Sequence, residues 1–184
     1  MRRIETIVGE IRKAETKKGM PVKVVAVDGH GGSGKSTLAK KLSEELGAMI
    51  VQTDDFASYE NPLNWWPIVI EKSMEPIKNG AKTVSYIRSS WGPDHHPKPV
   101  KDKPVTPILI LEGVSSSRKE FRPYLTFSIW VETPLEICLQ RGLEREGQDA
   151  RDKWIQWQAD EKSYVDRDNP KAFANLVVDG TVEL

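Results

Sequence analysis

The chain has 184 residues, the length of one domain with room for a full core. Its 27 Lys+Arg balance 27 Asp+Glu, so it lacks the basic excess of a general nucleic-acid binder, and no apolar run reaches membrane-spanning length. A single cysteine, Cys138, excludes an internal disulfide framework and leads us to expect a reducing, cytoplasmic setting with no membrane partner.

In chain order, charges alternate with Ile4, Ile7, Val8 and Ile11, which predicts an amphipathic helix within residues 1–18 and not a signal peptide. Residues 22–28 are a β-branched run that reads as a buried strand. It leads into Gly29-His30-Gly31-Gly32-Ser33-Gly34-Lys35-Ser36, a full G-x-x-x-x-G-K-[ST] loop, and then into a helix from Thr37 that ends at Gly47. Strand, glycine loop and helix give the pattern a mechanism. Backbone N–H groups turned inward, with the helix N-terminus behind them, form a nest for phosphate. Gly29, Gly31, Gly32, Ser33, Gly34 and Thr37 belong to this nest, Lys35 reaches the β- and γ-phosphates, and the Ser36 hydroxyl holds Mg²⁺. The expected ligand is a nucleoside triphosphate.

A strand over 49–52 is followed by Thr53-Asp54-Asp55-Phe56, and a helix is predicted over 62–78 from Trp65, Ile68, Val69, Met74 and Ile77. The proline-rich stretch 89–106 reads as a long excursion over the surface, on the acceptor side of the site. Strands follow at 107–111, 127–131 and 176–178, with helices between them at 135–146 and 153–165. Short apolar strands separated by helices predict a single α/β domain, a three-layer P-loop NTPase fold. Its five-stranded, mainly parallel sheet brings the ligand loops to the carboxyl ends of the strands.

Other residues narrow the class. There is no N-K-x-D segment to read guanine and no L-S-G-G-Q-like segment. Asp54 and Asp55 follow the second strand and Glu112 the third, so all three carboxylates emerge beside the phosphate loop. A small-molecule kinase needs such groups, one to orient or deprotonate an acceptor hydroxyl and another to hold the metal. Either Asp54 or Asp55 fits the first role, and capping a helix is the plainer use of each. Arg141 and Arg145 lie four apart on one helical face, and Arg151 follows Gly147, which predicts an arginine-bearing lid over 144–153 that closes on the transferring phosphoryl group. Pairing of these arginines with Glu144 and Glu146 on a solvated face is the bland alternative. Tyr59, Tyr86, Trp91, His95 and Arg118 are candidate contacts for the acceptor, whereas Trp154 and Trp157 read as helix-packing residues.

Taken together, Asp28–Thr37, the Thr53-Asp54-Asp55-Phe56 segment, Glu112-Gly113-Val114 and the Arg141/Arg145 helix resemble the uridine kinase-like branch of P-loop kinases, alongside phosphoribulokinases and bacterial pantothenate kinases. The resemblance implies ATP and Mg²⁺, with the catalytic base on Asp54, metal support from Glu112 (joined by Ser36 and Asp54), and a lid of Arg141 and Arg145. Where the family carries a Y-D-x-x-x-H-x-R acceptor segment, this chain has Tyr86-Ile87-Arg88-Ser89-Ser90-Trp91, with His95 and His96 beyond it. The implied activity is γ-phosphoryl transfer from ATP to a small-molecule hydroxyl, with a uridine- or cytidine-type nucleoside as the first expectation. A sugar or pantothenate-like alcohol, or a non-catalytic ATP-binding switch, is the alternative. The sequence carries no sign of oligomeric state.

Overall fold

The computed structural model describes residues 3–58, 61–89 and 98–182. Its main sheet has five strands in the order β2 (Met49–Gln52), β5 (Ile108–Glu112), β1 (Lys23–Gly29), β6 (Phe127–Glu132) and β7 (Leu176–Asp179), and every neighbouring pair is parallel. β1 lies at the centre, with Val25 beside Ile110 on one side and Phe127 on the other. Strands covered on both faces need apolar residues at nearly every position, and β1, β5 and β6 have them.

Side chains alternate across the sheet, which creates two cores. Val24, Ala26, Leu109 and Leu111 pack with Trp65, Val69, Met74, Ile77 and Phe121 on one face. Val25, Val27, Ile110 and Ile129 pack on the other face with α1 (Ile4–Lys13) and α2 (Lys35–Leu46), through Ile7, Ile11, Leu38 and Leu42. Helices on both faces of a parallel sheet give the expected three layers.

The structure departs from the sequence reading in three places. The helix expected over 62–78 begins at Trp66, because Asn61 and Pro62 cap a turn in which Asn64 N–H donates to Asn61 Oδ1 (3.0 Å) and Trp65 Nε1–H to the Pro62 carbonyl (3.0 Å). It runs as α3 (Trp66–Val69), a wide π turn at Ile70–Met74, and α4 (Glu75–Lys78). Pro76 has no N–H to continue the α ladder, and the wide turn lies directly before it.

The second departure involves the stretch expected to be an excursion. Within it β4 (Lys98–Pro104) pairs with β3 (Thr83–Arg88), which lies just before it, as a separate antiparallel ribbon. β4 contains Pro99 and Pro104, but in a two-stranded ribbon each strand is an edge and tolerates a missing donor. Val84 and Tyr86 point into the core, while Ser85 and Ile87 face out. Third, α5 (Leu135–Glu146) matches its expected span, whereas α6 (Arg151–Asp168) is longer than expected and is followed by a short, unforeseen α7 (Pro170–Phe173).

Candidate active site

β1 ends at Gly29, and the phosphate-loop segment leaves the centre of the sheet for the N-terminus of α2. Gly32 takes a left-handed φ of 80°, and a Cβ there would lie 2.4 Å from the Cys138 carbonyl oxygen. Gly34 caps α2 in the left-handed region and offers backbone but no side chain to the helix start. Within the loop, the His30 carbonyl accepts from Ser33 N–H (3.0 Å) and from the Lys35 ammonium (3.0 Å).

The metal-binding expectation can be tested on the oxygen donors. The Ser36 hydroxyl donates to Glu112 Oε1 at 2.9 Å, and Gln52 Nε2 lies 3.4 Å from Glu112 Oε2. Two hard oxygen donors this close beside a phosphate nest suit Mg²⁺, which is usually held by one or two protein ligands plus phosphate and water. Among the described residues no cluster of three or more His, Cys, Asp or Glu forms a protein-only metal site. Burial raises the Glu112 carboxyl above its ordinary value, against the pull of Lys35 and the Ser36 hydrogen bond.

A short 3₁₀ turn at Thr53–Asp55 sends the two aspartates in different directions. Asp55 is buried and fully engaged, with Oδ2 accepting from the Tyr86 hydroxyl (2.8 Å) and Oδ1 paired with Arg88 Nε (2.7 Å). Asp54 lines the cleft. Burial is the largest influence on its carboxyl and raises it; Lys35 and Arg145 oppose the rise, Asp55 and Glu161 add to it. Water still reaches the Asp54 side chain, so the rise is smaller than full burial would give. Gly113 backs onto Thr53 so closely that a Cβ there would fall 1.9 Å from Thr53 Oγ1, which keeps the turns carrying Glu112 and Asp54 together.

Lys35, Ser36, Asp54, Glu112, Arg141 and Arg145 all line one cleft of about 880 Å³. Beyond Gly34 and Thr37 it meets a groove of about 420 Å³ bordered by Lys41, Val178 and Thr181, with Arg141 at the join. Arg141 donates to the Gly32 (3.2 Å) and Gly180 (3.0 Å) carbonyls. Arg145 is exposed, pairs with Glu146 (2.7 Å) and lies over the Trp154 ring at 5.6 Å. Arg151 begins α6 on the surface, outside the cleft lining.

Three expected acceptor contacts lie outside the lining of this cleft. Asp55 and Tyr86 satisfy each other and do not line the cleft. Arg118 is 2% exposed and holds the Leu63 carbonyl (2.5 Å) and Glu120 (2.9 Å), so its guanidinium braces the 61–65 turn. Tyr59, Trp91 and His95 lie outside the described residues.

Sequence reasoning missed Asp28, Tyr164 and Glu161. Asp28 is buried and accepts from Gly29 N–H (2.8 Å), Ser115 N–H (3.0 Å), Ser117 N–H (2.9 Å) and the Tyr164 hydroxyl (2.5 Å). It thereby fastens the start of the loop to the turn after β5. An acid closing a β-branched strand, and an acid in the Trp154, Trp157, Glu161, Tyr164 helical stripe, were the available signals.

No family model matches the chain. It is 26% identical over 150 residues, 67% of this chain and 68% of the relative, to the uridine kinase of Klebsiella pneumoniae. Its fold is similar to that of a possible uridine kinase from Bacillus stearothermophilus, with a TM-score of 0.69 at 20% identity over 96% of this chain and 97% of that one. It is also similar to a putative fructose transport system kinase from Silicibacter sp. TM1040, with a TM-score of 0.66 at 16% identity over 97% and 100% of the two chains. With a phosphate loop, a facing carboxylate pair and an arginine helix in the same order along a five-stranded parallel sheet, the chain is similar to the uridine kinase-like P-loop kinases, and its kinase relatives support a phosphotransferase.

Proposed function

We propose that the protein transfers the γ-phosphoryl group of ATP, with Mg²⁺, to a hydroxyl of a small molecule, a uridine- or cytidine-type nucleoside first. The observation that carries this reading is the meeting of Lys35, the Ser36–Glu112 pair and Asp54 on one cleft. Lys35 and the loop amides bind and orient the phosphates, and the donor's base lies in the groove beyond Thr37. Ser36 and Glu112 hold Mg²⁺ directly or through water; when bound, the ion neutralises charge shared among the phosphate oxygens. Asp54 orients the acceptor hydroxyl and takes its proton on a carboxylate oxygen. Arg145 turns from Glu146 toward the phosphoryl group, spreading its charge and excluding water. The acceptor is a free small molecule, with no nucleic-acid or membrane partner, and the setting is cytoplasmic; among the described residues no helix is long and apolar enough to cross a membrane.

The fold likeness to a putative fructose transport system kinase favours a sugar as the second acceptor class. The test is ADP release by the purified protein with Mg·ATP against nucleosides, sugars and vitamin alcohols. Nucleoside-dependent release, lost in Asp54→Asn, is expected. Release with a sugar alone replaces the acceptor, and no acceptor-dependent release with any of them favours a regulatory switch.

A further inference from the structure

One carboxylate that touches the phosphate loop has no part in the transfer just described. Glu161, on α6, is wholly buried. Its Oε1 accepts the Gly31 N–H at 2.8 Å, and its Oε2 lies 2.8 Å from His30 Nδ1. The same helical stripe continues onto the loop. A Cβ at Gly31 would lie 3.0 Å from Glu161 and from both the Trp154 and Trp157 rings, and Tyr164, one turn beyond, donates to Asp28. On its far side the His30 ring meets Trp130 edge-on, at 5.5 Å between centroids.

Docking a helix does not call for this carboxylate. Burying one is costly, and a leucine of similar size would pack α6 at least as well. A leucine could not accept the Gly31 N–H or hold the imidazole. Fixing His30 also fixes its carbonyl, where the Lys35 ammonium and the Ser33 N–H both rest. Glu161 therefore constrains His30 and Gly31 directly and, through the His30 carbonyl, the Ser33 N–H and the resting place of the loop's lysine.

We propose that Glu161 is a positioning residue for nucleotide binding: it sets the phosphate loop in its cradle shape before the phosphates arrive, so less ordering remains to be done on binding. The proposal rests on the loop being the nucleotide site. It is tested with wild type, Glu161→Gln and Glu161→Leu, reading the Mg·ADP dissociation constant by titration and the melting temperature of each. Wild-type binding reports on the nucleotide reading, and the ratios between variants report on Glu161.

Glutamine keeps a carbonyl for Gly31 N–H and an amide N–H for a neutral His30 nitrogen, so its affinity should stay within about threefold of wild type. Leucine should weaken binding about tenfold or more while melting within a few degrees of wild type. Wild-type affinity in Glu161→Leu overturns the proposal, as does a Glu161→Gln protein no better than the leucine variant. Amide exchange on the unsubstituted, nucleotide-free protein decides the matter even if the leucine chain does not fold. Slow exchange at Gly31 N–H is expected, and exchange at the rate of an open loop amide overturns the proposal.

Discussion

The two walls of the cleft are built on opposite principles. On the phosphate-loop wall, polar groups are buried and tied to one another: Asp28 collects five donors, Glu161 two, and Lys35 rests on a loop carbonyl. On the lid wall, Arg145 is 66% exposed at its side chain and is held by its own neighbour, Glu146. Exposed pairs of this kind contribute about 0–1 kcal/mol, so leaving one costs little. The loop wall is set before binding. The lid wall is held by an exposed pair that can change partners, as the proposed closure on a phosphoryl group requires.

The largest test of this contrast is Asp54→Asn. With nucleotide binding vested in the loop wall, Mg·ATP affinity should hold while kcat falls about 10²–10⁴-fold; a kcat near wild type would remove Asp54 from the reaction. The pH dependence follows from the same residue. Asp54 must be ionised to accept a proton, and burial raises its carboxyl, so the acid limb of wild-type kcat should fall at a higher pH than an ordinary aspartate's. A raised folded-state value also means that ionisation disfavours the fold. Asp54→Asn should therefore melt no lower than wild type at neutral pH, with any gain vanishing below the unfolded aspartate's value of about 3.9.

Next in size is Arg145→Ala. Its wall is the exposed one and, in the proposed transfer, acts on the moving phosphoryl group, so kcat should drop about 10²-fold with little change in Mg·ATP affinity. Equal losses in both would show that Arg145 binds the ground state too, and would blur the distinction between the walls. The smallest effect is on stability. Gly142 of α5 lies under the Trp154 indole, where a Cβ would come within 2.4 Å of the ring. Gly142→Ala must push α5 and α6 apart, which should destabilise by about 1–3 kcal/mol and lower the melting temperature by several degrees. An unchanged melting temperature would mean that the contact between these helices is itself loose.

The loop wall was largely legible in the sequence, because its geometry is local. Eight consecutive residues specify the turn, and the strand before and helix after it fix where it sits. Glu112 and Asp54 were legible for a related reason, since each follows a recognisable strand. What escaped was set by distant partners. Asp55 could not be told from Asp54 until Tyr86 and Arg88 were seen to hold it from the ribbon, 31 and 33 positions on. Arg118 was a candidate acceptor contact, yet its partners are the Leu63 carbonyl and Glu120. The ribbon was hidden by prolines whose cost depends on which side of the strand is paired. Glu161 was visible only as an acid in an aromatic stripe, since its partners lie 130 and 131 positions earlier.

That last separation also bears on how the molecule is made. The eight-residue loop is synthesised early, but the contacts to Glu161 and Tyr164 that brace it span 130 to 136 residues, and such closures form slowly. A growing chain stopped before α6 would contain every residue of the phosphate motif and lack the braces that shape it. Nucleotide would bind well only to the completed chain, and by doing so would favour the closure of its two distant segments, acting as a ligand that helps finish the fold it requires.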